Sequence, residues 1–143
     1  MKRFLQKMPP WTLTVVVVVL IIYLTLVPQP LPETDIQLFP GADKLVHAIM
    51  FGALAGAICL DVARRRGIEK LTTRFLSFCF LGTTIAGAVI EFLQKYMNVG
   101  RSCELWDFVA DTSGALLAVI IARPIIRILL QANKTPQSPS PKR

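Results

Sequence analysis

Four stretches of the chain run apolar for the length of a helix, and short polar segments separate them. The first, WTLTVVVVVLIIYLTLV at positions 11–27, carries no charge and has an aromatic at its entry. Coiled as a helix it would rise about 25 Å, roughly the thickness of a thin hydrocarbon core. Its run of valines would favour a strand in water, but an open strand in lipid leaves backbone groups unpaired, so a helix is expected. The second window spans about Asp43 to Val62, the third about Arg74 to Tyr96 and the fourth about Leu105 to Ala122. Each is long enough to cross a bilayer. The predicted fold is therefore all-α, a polytopic membrane protein built as a four-transmembrane-helix bundle.

The organisation that follows is a basic N-terminus at 1–10, a first transmembrane helix at 11–27, a three-helix region at 43–122 and a polar tail at 131–143. The tail, ending TPQSPSPKR, is expected to be disordered. Lys2, Arg3 and Lys7 also resemble the n-region of a signal peptide. The apolar run, however, leads into VPQPLPETD with no A-x-A-like site, so retention as an anchor is expected. Composition agrees with the membrane class: 53% of residues are hydrophobic and the mean hydropathy is +0.54, too apolar for a soluble domain of this size.

Charge supplies an orientation. Of the 16 lysines and arginines, 13 fall on one side of the predicted bundle, in the N-terminus, in ARRRGIEKLTTR and beyond Ala122; Lys44, Lys95 and Arg101 occupy the other. By the positive-inside rule both termini are cytoplasmic. The net charge of +7 then reads as a topology signal, and no nucleic-acid partner is implied. The bilayer itself is the first partner, since a basic face also suits anionic head groups. Three cysteines give no disulfide framework, and Cys59 and Cys79 lie in apolar windows where they read as small buried hydrophobes.

The acidic residues show the opposite asymmetry. Only Asp61 and Glu69 belong to the cytoplasmic side, and several of the other seven sit inside helices. An ionised group near the membrane costs roughly 2.5–3.5 kcal/mol on insertion scales, so such residues face a bundle interior or a wet cavity. Asp43 and His47 are four apart, Glu91 and Gln94 three apart, and Asp107 and Asp111 four apart, so each pair shares a helix face. All three pairs lie at the outer ends of their helices. The geometry that spares them lipid is convergence beneath the third connection, which carries Arg101. Asp43 and Asp107 would also serve as helix caps. Asp43, Glu91, Asp107 and Asp111 against Lys44 and Arg101 leave an excess of negative charge that invites a cation. Gly52 with Gly56, Gly82 with Ala86, and Gly114 with Ala118 form small-xxx-small pairs that would let the helices pack closely.

DKLVHAIMFGALAGA, then EFLQ, then an arginine and DFVADTSGALLA resemble the VanZ-like family of small bacterial membrane proteins. That family opens one helix with D-K-x-x-H, ends the next with E-x-x-Q, and follows with an arginine and D-x-x-x-N-x-x-G. The resemblance covers about Asp43 to Ala118 and implies the positions Asp43, Lys44, His47, Glu91, Gln94, Arg101, Asp107 and Gly114. The sequence departs at Asp111, where the family usually has asparagine, and the extra carboxylate favours a cation. The resemblance implies a multi-pass protein of the bacterial cytoplasmic membrane associated with the cell envelope. The family takes its name from a protein linked to resistance to the glycopeptide teicoplanin; a resistance role for this chain does not follow.

Two functional classes remain open. In one, the cluster Asp43, Lys44, His47, Glu91, Gln94, Arg101, Asp107 and Asp111 binds or processes an envelope component with a lipid-linked or phosphate-bearing head group. Carboxylates repel phosphate unless a basic rim or a divalent metal intervenes, and oxygen ligands with one imidazole suit Mg²⁺ or Mn²⁺, and Zn²⁺ less specifically. In the other, the cluster is a polar lock within a non-enzymatic module that binds a larger envelope protein. A proton-coupled permease ranks last, because no ionisable residue continues a path at mid-membrane depth. No nucleophile elbow, P-loop, HExxH or Gly-rich nucleotide fingerprint is present, so an enzymatic role has no sequence motif behind it and no cofactor is implied.

Overall fold

A computed structural model describes residues 8–27, 41–97 and 105–131. Among them the chain is entirely helical: α1 (Thr12–Leu26), α2 (Ala42–Arg66), a 3-10 turn (Ile68–Lys70), α3 (Thr73–Met97) and α4 (Leu105–Gln131). The last three α-helices are each long and apolar enough to cross a membrane. The 15 residues of α1 fall short of that length, rising about 22 Å. Residues 1–7, the first and third connections with Arg101 and Cys103, and the tail from 132 lie outside the described residues.

Two boundaries differ from the sequence reading. Arg64, Arg65 and Arg66, placed in a connection by their charge, form the last turn of α2. Cations there complement the C-terminal end of the helix dipole, and Gly67 at φ +91° closes the turn in a backbone conformation that side chains rarely adopt. The fourth helix runs to Gln131 rather than stopping near Ala122, with Pro124 inside it. A proline within a helix removes one backbone hydrogen bond, which neighbouring packing can offset. The extension is held by Arg123, which donates from Nε to the Leu71 carbonyl after the 3-10 turn.

Helix α2 is the centre of the bundle. It packs most extensively on α4 and also meets α1 and α3. Gly114 shows how close the α2–α4 approach is: a Cβ built there would overlap the Ala48 carbonyl and lie 2.8 Å from Ala48 Cα. Across the same seam, a Cβ on Gly52 would lie 3.2 Å from the Gly114 carbonyl oxygen. Neither Gly56 nor Gly82 has such a neighbour within 4 Å, so only part of the small-residue pattern marks the contact.

The apolar core has two regions. One joins Ala55, Cys59, Val62, Leu71, Cys79, Ala115, Val119 and Ile126, towards the end of the bundle that carries Arg64–Arg66. The other joins Ile21, Phe51, Leu54 and Ile90. Cys59 and Cys79 are free and buried, their sulfurs 3.9 Å apart. The outer surface is also apolar, with Val15, Val19, Ile49, Ile85, Leu117, Ile120 and Ile128 among many exposed hydrophobics. So broad an apolar coat is what contact with a lipid bilayer requires.

Candidate functional site

His47, Glu91 and Asp111 lie on three different helices, each five or six residues from an end. At about 1.5 Å per residue, all three sit roughly 8–9 Å inside the same end of the bundle. The close α2–α4 seam brings two of them together. Ala48 follows His47, Gly114 lies one turn beyond Asp111, and with those backbones in contact His47 Nδ1 is 2.9 Å from Asp111 Oδ1. Helix α3 adds the third: Glu91 Oε1 is 3.7 Å from the same Nδ1. Gly87, one turn before Glu91, leaves the room this needs, since a Cβ there would lie 3.0 Å from Asp111 Oδ2. All three side chains are buried, Asp111 completely.

Nearer the helix ends is a second tier. Lys44 Nζ donates to Asp43 Oδ2 at 2.9 Å and lies 3.6 Å from Asp107 Oδ1, across to α4. Asp107 is buried, but Asp43 is more than half exposed and its described contact is with its neighbour Lys44. Of the residues singled out by sequence, the structure therefore gathers His47, Glu91 and Asp111 in an inner tier, with Lys44 and Asp107 over it and Asp43 at the rim. Gln94 is buried but turned to α1, where its Nε2 donates to the Thr25 carbonyl at 3.0 Å. Arg101 lies outside the described residues.

Asp61 has a role that the sequence reading missed. It is completely buried in α2 and accepts two hydrogen bonds at Oδ2 from Thr14, one from the backbone N–H at 3.0 Å and one from Oγ1 at 2.9 Å. Thr14 is in the first turn of α1, where backbone N–H groups have no partner within the helix. Trp11, the residue before that helix, gives no side-chain cap. Asp61 thus caps α1 from the neighbouring helix, with its Oδ1 3.4 Å from Arg64 Nη2. The available signal was a single acidic residue within the apolar run AICLDVA, one turn before the arginines.

Beside the inner tier is an apolar groove of about 330 Å³ between α1 and α3 over α2, bordered by Ile22, Leu26, Phe51, Leu54, Ile90 and Leu93. Phe51 links groove and cluster: it also reaches Gly87, 3.4 Å from the position of a Cβ there, where Asp111 packs. Comparison with protein-family models, curated proteins and solved structures gives no match to this chain.

Proposed function

We propose that the chain is a VanZ-like protein of the bacterial cytoplasmic membrane, with four spans and both termini cytoplasmic. In this reading the His47, Glu91 and Asp111 cluster opens to the outer leaflet and receives the phosphate-bearing head group of an envelope lipid. The lipid's apolar chain lies in the groove between α1 and α3. Lys44 and Asp107 stand over the entrance. The proposed activity is binding.

The observation that carries this reading is the adjacency of a buried, ionisable tier and a wholly apolar groove, joined at Phe51. Buried ionisable groups in apolar bundles are costly and usually mark functional sites. An amphiphile is the ligand whose two halves match the two surfaces. The segregation of 13 of 16 basic residues supports the orientation.

A polar lock is the second reading, and one observation favours it. His47 to Asp111 ties α2 to α4, and Gln94 to the Thr25 carbonyl ties α3 to α1. Native mass spectrometry of the gently extracted chain separates the two. Retention of a phosphate-bearing lipid is expected for the site. A chain that sheds every lipid under conditions that keep it folded would leave the lock.

A further inference from the structure

The inner tier has the donor set and spacing of a metal centre. One ligand atom from each of His47, Glu91 and Asp111 falls within 4.8 Å of the others. A four-coordinate Zn²⁺ with bonds of about 2.0–2.2 Å holds its ligand atoms about 3.3–3.6 Å apart. The distances from His47 Nδ1, 2.9 Å to Asp111 Oδ1 and 3.7 Å to Glu91 Oε1, lie on either side of that range. Small side-chain adjustments would equalise them. Charge agrees as well: two carboxylates, a neutral imidazole and a divalent ion sum to zero, which a buried cluster needs.

A second observation concerns Asp111 itself. The side chain is fully buried, and Oδ2 has no hydrogen-bond partner among the described residues. An unsatisfied buried carboxylate oxygen is costly, and a bound cation would satisfy it. Gly87 packs against that oxygen, and any larger residue there would press on it.

We propose that His47, Glu91 and Asp111 bind a single divalent transition-metal ion of the Zn²⁺ class. His47 Nδ1, one Glu91 oxygen and the Asp111 carboxylate, bound through Oδ1 with Oδ2 as a weaker second contact to the ion, are the protein ligands, and the remaining position is open. The sequence cluster offered enough oxygens to suit Mg²⁺, but the structure reduces the ligand set to one imidazole and two carboxylates, too few oxygens for Ca²⁺ or Mg²⁺, which prefer all-oxygen sites. Three protein ligands with one open position is the arrangement of zinc sites that take an exogenous ligand. This inference deepens the head-group reading by naming the positive charge that would meet a phosphate, but the ion's binding can be measured without any lipid.

The test uses the full chain in a phosphate-free maltoside detergent, stripped with a chelator, then equilibrated with Zn²⁺ alone and counted by elemental analysis after gel filtration. One ion per chain is expected. Glu91→Gln and Asp111→Asn should each weaken it about 100-fold or more, since changes merely behind a metal ligand already cost about 10–100-fold. Glu69→Gln, exposed at the other end of the bundle, should leave it unchanged. Co²⁺ in place of Zn²⁺ gives the unmodified chain its own readout, with the intense visible bands of a four-coordinate site expected. A parent that binds no Zn²⁺, a six-coordinate Co²⁺ spectrum, or affinity indifferent to both variants would overturn the metal site. A parent that binds Zn²⁺ but retains no phosphate-bearing lipid keeps the metal centre and removes the head-group reading. A parent that retains the lipid but no metal does the reverse.

Discussion

A Cβ on Gly114 would press into the Ala48 backbone, whereas one on Gly56 or Gly82 would meet nothing within 4 Å. Gly114→Ala is therefore expected to destabilise the bundle by about 1–3 kcal/mol, the usual cost of overpacking. Gly56→Ala and Gly82→Ala should be neutral or mildly stabilising; thermal melts of the three variants in one detergent make the comparison. All three glycines belong to small-xxx-small pairs, so spacing alone could not tell them apart. The difference arises from which helix crosses which, and that is a property of the folded bundle. Asp61 illustrates the same limit. Its place in an apolar run marked it as unusual, but its partner Thr14 lies 47 residues away. Thr14→Val removes the hydroxyl bond and keeps the shape, so a loss of about 1.5–3 kcal/mol is expected for a hydrogen bond to a charged group.

Helix α1 is held at both ends by side chains from other helices. Asp61 of α2 satisfies an N–H in its first turn, and Gln94 of α3 satisfies the Thr25 carbonyl in its last. Thr14 and Thr25 are about 16 Å apart along the helix, beyond the range at which substitutions usually couple. Thr14→Val and Gln94→Leu should therefore add within about 0.5 kcal/mol in the double variant, and a clearly larger coupling in the melts would show that α1 docks as one rigid unit. Most of the helical framework was legible from the apolar windows, because in lipid an apolar run has few alternatives to a helix. The missed parts were the ends of α2 and α4. The last turn of α2 carries arginines and the final two turns of α4 follow Pro124, features that read as loop in sequence but are held by the helix dipole and by Arg123 on Leu71. The convergence of His47, Glu91 and Asp111 was legible from helix faces and depth. The turning of Gln94 to α1 was not, since an i,i+3 spacing to Glu91 says nothing about which neighbour each residue meets.

At the scale of the whole molecule, α1 and α3 end, and α2 and α4 begin, at the end of the bundle that holds the cluster; Arg64–Arg66 lie at the other. Reporter fusions within residues 29–41 and at residue 143 are expected to report opposite compartments, with residue 143 cytoplasmic. The same compartment for both would remove the proposed orientation and the outer-leaflet site with it. The central claim is that the buried tier holds a ligand and does more than join the helices. Its most direct measurement is bound phosphate-bearing lipid and melting temperature on one preparation each of the parent and Glu91→Gln, which keeps size while removing a charge. A variant that melts within about 4 °C of the parent, a change worth at most about 1 kcal/mol for a small domain, yet loses the retained lipid is the expected result. A variant that loses stability while holding the parent's complement of lipid, or that changes in neither respect, would contradict it.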